Sequence, residues 1–121
     1  AFSYIDDSLE SLWKAATVPA ASKQIINLGG NVGYTISEAS SVLRNVIGDG
    51  KVIFKEGRHE AKKSIPTWEK SVEILGFEHK THLHEGLKKM WKWAQAQKKR
   101  PIQSFDKYEL EKGIYSYWKN K

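Results

Sequence analysis

The strongest constraint on the fold of this chain is a helical spacing of apolar residues near its C-terminal end. These residues recur at the intervals i, i+4, i+7, i+8 and i+11, at Leu83, Leu87, Met90, Trp91 and Ala94. The spacing gives a helix one apolar face, so the sequence predicts an amphipathic helix, which we expect Thr81 to cap. Such a face has to pack against a second element, which implies a folded domain.

Two earlier segments also carry helix signals. Asp6 or Asp7 is predicted to cap a first helix, because the apolar residues that follow have helical spacing. Thr35 and Glu38 match the T-x-x-E capping box, which predicts a second helix that stops at Gly48.

Two further helices are predicted downstream. Pro66 and Thr67 are typical of a helix start, and Gly76 is typical of the end of that helix. A last helical stretch is predicted from the Asp106-x-x-Glu109 pair, with Leu110, Ile114 and Trp118 on its apolar side.

Two short segments between the helices are rich in β-branched residues. Residues 24–28 and residues 52–54 both read as buried strands, and the second predicted helix lies between them. A strand, helix, strand order implies a right-handed crossover with parallel strands. The predicted fold class is therefore α+β: a mainly helical small domain with a short two-stranded parallel sheet in β-α-β order and C-terminal helices.

The composition limits the classes of protein to consider. A chain of 121 residues with 40% hydrophobic residues has room for one modest core, and the absence of cysteine excludes disulfides and thiolate chemistry. No apolar run is long enough to span a membrane, and no secretory signal is visible. We expect a cytoplasmic protein with no membrane partner, and we expect its abrupt start at Ala1 to be a cut.

The formal net charge of +6 raises the question of a polyanionic partner. Much of the positive charge lies on the predicted amphipathic helix and just after it, at Lys88, Lys89, Lys92, Lys98, Lys99 and Arg100. Two interpretations stay open: a solvated helix face, which is favoured, and a free-standing basic module that binds an acidic partner or nucleic acid.

Three clusters of residues are candidates for a functional site. The glycines in residues 29–33 do not match G-x-G-x-x-G and are predicted to form a structural turn. His79, His82 and His84 are close in sequence, but side chains two residues apart at a helix start diverge, so no metal site is predicted. The loop of residues 55–63 contains Arg58, whose guanidinium can bind phosphate oxygens, with its lysines as added charges, although composition alone favours an ordinary charged surface loop.

Several segments, in this order, resemble the C-terminal region of the extended short-chain dehydrogenase/reductase superfamily. Residues 2–7 (FSYIDD) resemble the aromatic-x-Tyr-Val-x-Asp segment of its nucleotide-sugar epimerases and dehydratases, and residues 26–29 (INLG) resemble its Phe-Asn-Leu-Gly segment. Residues 75–87 (LGFEHKTHLHEGL) are similar to its Leu-Gly-aromatic-x-Pro-x-x-x-Leu-x-Glu-Gly-Leu segment, with His79 in place of the common Pro. The best likeness is to enzymes of the UDP-glucose 4-epimerase type.

The resemblance implies that this chain recognises a nucleotide-diphosphate sugar, with a UDP-sugar favoured. Arg58 would bind the diphosphate and Glu60 would lie beside the nucleoside. The NAD and the catalytic Tyr and Lys would belong to a separate Rossmann domain, so the resemblance implies no catalytic, cofactor-binding or metal-binding residue in this chain and no activity without that domain. Residues 1–97 would form the substrate-binding domain, residues 98–121 would form a helical extension, and nucleic acid is not an expected partner.

Overall fold

The computed structural model describes residues 1–55 and 61–101. Within these ranges, no helix is both long enough and apolar enough to cross a membrane. The elements, in chain order, are α1 (Ile5–Thr17), a 3-10 turn (Pro19–Ala21), α2 (Ile36–Ile47), α3 (Glu69–Leu75) and α4 (Leu83–Ala96).

The predicted parallel sheet is wrong. In residues 1–55 and 61–101 there is no strand, and residues 24–28 and 52–54 have no regular secondary structure. A β-strand forms only where a neighbouring strand pairs with its backbone hydrogen-bonding groups. The apolar side chains of these two segments are also not buried, since Ile25 is 89% exposed and Phe54 is 84% exposed. The described chain is a small helical domain, not an α+β domain.

Local end signals account for the helix boundaries. The capping box at α2 is confirmed: the Glu38 N–H donates to the Thr35 hydroxyl, and the Thr35 N–H donates to the Glu38 carboxylate. Gly48 after α2 and Gly76 after α3 both adopt the left-handed conformation, with φ of 86° and 62°. A residue without a Cβ takes up this conformation at low cost, which explains why both helices stop there.

Two predicted caps are wrong, because their hydroxyls bind partners distant in sequence. Thr67 accepts the Asn27 side-chain amide at 3.0 Å, and α3 begins after Trp68. Thr81 donates to Asp7 at 2.8 Å, and α4 begins after His82 with no side-chain cap. These two threonines therefore hold separate parts of the chain together.

The helices form two pairs. α2 packs on α4, and α1 packs on α3 and on the 3-10 turn. Among the described apolar residues, Ala21, Leu75 and Phe77 are buried. This core is small, since these side chains are 8%, 3% and 5% exposed while many larger apolar residues face solvent.

Asp7 joins α1 to the connector between α3 and α4. Its carboxylate accepts the N–H groups of Lys80 at 3.1 Å and Thr81 at 2.7 Å, and the Thr81 hydroxyl at 2.8 Å. Burial raises the pKa of Asp7, but the hydrogen bonds from Thr81 and Lys80 and the nearby His79 outweigh it and lower the pKa below its ordinary value.

The prediction that Asp6 or Asp7 caps the first helix is wrong. Tyr4 is the N-cap of α1, with no side-chain cap bond.

Candidate functional site

Three segments that are far apart in sequence meet on one side of the domain. The Ala1 amino group donates to the Ser64 carbonyl oxygen at 3.0 Å, and the Gly30 N–H donates to the Ser3 hydroxyl at 2.8 Å. These bonds join residues 1–4 to the glycine-rich turn of residues 29–33 on one side and to residues 61–66 on the other. Their junction forms the walls of a cleft.

Two buried glycines permit this close approach. A Cβ on Gly30 would collide with the Phe2 carbonyl oxygen, and a Cβ on Gly29 would lie 2.9 Å from Pro66 Cγ. Real Cβ atoms essentially never come within 3.0 Å of such neighbours. The glycines of this turn therefore let residues 1–4 and Pro66 pack directly against its backbone.

The cleft encloses about 630 Å³. This volume lies within the range of about 300–1,000 Å³ that is typical of small-molecule sites. The lining comes from residues 1–2, 33–36 and 61–65, together with Glu38.

Aromatic and apolar groups form one part of the lining. The Phe2 and Tyr34 rings are 6.3 Å apart between centroids and are inclined by 58°. Ile36, 75% exposed, and Ile65, 44% exposed, also border the cleft. Flat ring faces and exposed aliphatic groups suit the stacking of a planar heterocycle.

Charged groups lie on the same lining. Lys62 and Lys63 contribute two ammonium groups, which can neutralise phosphate oxygens. Glu38 also lines the cleft, and its carboxylate accepts hydrogen bonds from the Thr35 N–H at 2.7 Å and the Thr35 hydroxyl at 2.9 Å. These two hydrogen bonds lower the pKa of Glu38, so this carboxyl is ionised and committed to the helix cap.

His79 supports the glycine-rich turn through its two ring nitrogens. Its Nδ1 lies 2.7 Å from Asn31 Oδ1, and its Nε2 lies 3.1 Å from the Thr81 carbonyl oxygen. The ring thus bridges the glycine-rich turn and the connector that Asp7 also binds. The His79 and His82 rings are 5.3 Å apart and edge-on, and no group of three or more potential metal-binding side chains gathers in the described parts of the chain.

The two predicted substrate-binding residues, Arg58 and Glu60, lie outside the described residues. The described chain resumes at Ala61, which lines the cleft. Lys62 and Lys63 belong to the basic loop of residues 55–63 that the sequence singles out, whereas no sequence motif marks Phe2 and Tyr34 as site residues. One modest sequence feature could have marked Tyr34 as a site residue: it is an aromatic residue between a glycine and a helix-capping threonine.

The epimerases and dehydratases that residues 1–97 resemble carry their catalytic pair as Tyr-x-x-x-Lys. That spacing occurs three times in this chain, at Tyr108 with Lys112, at Tyr115 with Lys119 and at Tyr117 with Lys121. All three pairs lie beyond the region that resembles the family and outside the described residues.

No known family model matches this chain, and no solved structure is significantly similar to it.

Proposed function

We propose that this chain binds the nucleotide-diphosphate half of a UDP-sugar, as the substrate-binding part of an NAD-dependent epimerase or dehydratase. In this proposal a separate Rossmann domain binds NAD and carries the catalytic Tyr and Lys. The resemblance of residues 2–7, 26–29 and 75–87 suggests this class of enzyme. The proposal assigns substrate recognition, and not the redox step, to this chain.

The observation that carries the proposal is the chemistry of the cleft. A nucleoside diphosphate has a flat base at one end and two charged phosphates at the other. The cleft combines the aromatic rings of Phe2 and Tyr34 with the ammonium groups of Lys62 and Lys63. The base would lie against the rings and the phosphates would lie near the lysines, which leaves the sugar directed out of the cleft.

The roles of Arg58 and Glu60 in this proposal are based on the sequence resemblance. They lie one to three residues before Ala61, which is part of the lining. A planar guanidinium binds two phosphate oxygens at once and fixes their orientation, which a lysine ammonium cannot do. We assign Arg58 to the diphosphate and Glu60 to the nucleoside.

Calorimetric titration of the chain with UDP tests these roles. Arg58→Ala should weaken UDP binding by about 1.5–3 kcal/mol, the scale of hydrogen bonds to a charged group, which is a roughly 10- to 150-fold higher Kd. Arg100→Ala removes the same charge from an exposed position away from the cleft and is the matched control. Equal affinities of the two variants would remove Arg58 from the site.

A companion titration separates the base from the phosphates. Tyr34→Leu should weaken both UDP and uridine, because it removes a ring face that both ligands would use. Arg58→Ala should weaken UDP and leave uridine unchanged. If Tyr34→Leu leaves both ligands unaffected, the base does not lie in this cleft.

The alternative function, a basic module for nucleic acid or an acidic partner, rests on the lysines of α4. Lys88, Lys89 and Lys92 are all exposed, and the Lys89 ammonium lies 5.0 Å from the centroid of the Tyr4 ring. Titration with a short fluorescent oligonucleotide tests this reading, since phosphate-driven binding weakens steeply as salt is added. Salt-dependent binding that is lost in Lys88→Ala would support it, and no signal at low salt would exclude it.

A further inference from the structure

Both ring nitrogens of His79 lie next to oxygen atoms. Nε2 is 3.1 Å from the Thr81 carbonyl oxygen, and Nδ1 is 2.7 Å from the side-chain oxygen of Asn31. An amide carbonyl oxygen accepts hydrogen bonds and cannot donate one. In this arrangement both nitrogens have to donate, and an imidazole that donates from both nitrogens is the positively charged form.

The neutral ring cannot make these two bonds in the same arrangement. It carries one proton, and when Nε2 donates this proton to the Thr81 carbonyl oxygen, Nδ1 becomes an acceptor. Nδ1 would then face the Asn31 oxygen at 2.7 Å as one acceptor against another. Asn31 relieves this contact only if its side chain withdraws or turns its NH2 group toward the ring. The charge of His79 thus selects between two arrangements of Asn31.

The charges around His79 favour the charged ring. From α1, the Asp7 carboxylate interacts favourably with a protonated His79. On the connector between α3 and α4, Lys80 pairs with Glu78 at 3.1 Å, so their two charges largely cancel. The His82 ring stands edge-on at 5.3 Å and repels His79 when both rings are charged. The glycine-rich turn of residues 29–33 contributes no ionisable side chain.

The bond to Asn31 acts on the wall of the cleft. Asn31 belongs to the glycine-rich turn, and the next residues but one and two, Gly33 and Tyr34, line the cleft. The ring also lies close to Gly30, since a Cβ there would be 3.5 Å from His79 Cε1. Through Nε2 the same ring binds the connector, which is itself bonded to α1. The charged ring therefore ties the turn that precedes Tyr34 to the connector.

We propose that His79 is a pH-dependent positioning residue for the cleft: protonation of its ring binds the glycine-rich turn to the connector, and deprotonation releases the Asn31 oxygen. Histidine is the side chain that ordinarily changes charge between pH 5 and 8, so the device responds within that range. The link between turn and connector does not depend on a ligand. Its effect on UDP rests on the proposed function, which supplies UDP as the occupant of the cleft.

A pH titration of the isotope-labelled chain, followed by NMR without ligand, tests the link. Between pH 8 and pH 5.5 the side-chain NH2 signals of Asn31 and the backbone amide signals of Gly30 and Gly33 should move together, because Asn31 has a different partner at each end of the range. His79→Gln should abolish this movement, since a glutamine amide does not change charge. His82→Gln removes the exposed imidazole beside His79 and should leave the movement intact.

Two substitutions of Asn31 distinguish a proton-dependent link from a merely structural one. Asn31→Asp supplies a carboxylate, which only accepts and pairs with the charged ring, so its Gly30 and Gly33 signals should change little between pH 5.5 and pH 8. Asn31→Ala offers no oxygen and should also remove the pH-dependent movement. Equal movement of both glycine signals in the wild type and in these two variants would overturn the proposal.

Calorimetric titration with UDP measures the effect of the link on the cleft. A terminal phosphate changes its own charge in this pH range, so each Kd is expressed relative to that of His79→Gln at the same pH. On this relative scale the wild-type chain should bind UDP about threefold more tightly at pH 5.5 than at pH 8, within the roughly 2- to 12-fold that one hydrogen bond contributes. His82→Gln should show the same ratio as the wild type.

The outcomes separate this inference from the proposed function. UDP binding whose relative Kd is the same at pH 5.5 and pH 8 would overturn the positioning role of His79 and leave the proposed function intact. Absence of UDP binding at either pH, together with Asn31 signals that respond as expected, would overturn the proposed function and leave the link intact. Asn31 signals that still move with pH in His79→Gln would overturn the link itself.

Discussion

Replacing Asp7 with alanine should release α1 from the connector between α3 and α4. The Asp7 carboxylate accepts two backbone N–H groups and one hydroxyl, from Lys80 and Thr81, at 2.7–3.1 Å. Alanine leaves all three donors without this acceptor. The loss is more serious at Thr81, which is only 8% exposed and has little access to replacement water.

The expected magnitude follows from these contacts. A hydrogen bond to a charged group contributes about 1.5–3 kcal/mol, but Asp7 is half-exposed and Lys80 can turn to water, so we expect Asp7→Ala to lower the free energy of unfolding by about 2 kcal/mol. Asp7→Asn should cost about 1 kcal/mol, because its oxygen can still accept the two N–H groups while its amide donates to the Thr81 hydroxyl.

Urea unfolding followed by circular dichroism at neutral pH provides the assay. Asp6→Ala is the matched control, because Asp6 lies in the same first turn of α1 and has the same favourable interaction with the helix dipole. A loss for Asp7→Ala no larger than that for Asp6→Ala would refute the reasoning.

The pH dependence gives an independent check on Asp7. Its pKa is lowered in the folded state from the ordinary value of 3.8, so its contribution to stability is complete above that value and is lost as the pH falls through the lower, folded pKa. The stability advantage of the wild-type chain over Asp7→Asn should therefore shrink below about pH 4. An advantage that stays constant down to pH 2 would show that this carboxylate is not responsible.

Two further expectations concern α2 and the glycine-rich turn. Thr35→Ala should cost about 1 kcal/mol in urea unfolding because it removes the capping box, and Thr35→Ser should restore most of that loss; two equal variants would argue against the cap. Gly30→Ala should cost about 1–3 kcal/mol and weaken UDP binding, because its methyl group meets the rigid Phe2 carbonyl. Gly33→Ala should cost less, since it meets only the movable end of the Ile65 side chain at 2.9 Å, and the reverse order in thermal unfolding would contradict this packing.

The sequence predicted those features that depend on neighbouring residues. The T-x-x-E pair at Thr35 and Glu38 forms its bonds within one turn of helix, and Gly48 and Gly76 end their helices through their own backbone conformation. The 3.6-residue spacing likewise identified α1 and α4. Local signals suffice here because the interactions that they describe are local.

The wrong predictions concern features that depend on residues distant in sequence. Thr67 and Thr81 have the composition of caps, but their hydroxyls pair with Asn27 and Asp7, which lie 40 and 74 residues away. The segments around Ile25 and Ile53 have the composition of strands, yet a strand requires a paired neighbour that local composition does not supply. The apolar spacing of α1 was recognised, but periodicity alone does not say that the apolar side faces away from the domain.

Only part of the candidate site could be predicted from the sequence, for the same reason. Its lining comes from three segments, around Phe2, Tyr34 and Lys63, that adjoin only in the folded chain. The sequence identified the basic loop because its charges are contiguous. It could not associate that loop with the two aromatic rings.

The most direct measurement of the central claim is an NMR titration of the isotope-labelled chain with UDP. UDP should shift the backbone amide signals of Phe2, Tyr34, Lys62 and Lys63, and leave those of the exposed α1 residues Leu9 and Leu12 unchanged. Inorganic pyrophosphate should shift the lysine signals alone, because it lacks a base to stack on the rings. A UDP titration to millimolar concentration that shifts none of the cleft signals, or shifts those of α4 instead, would contradict the account.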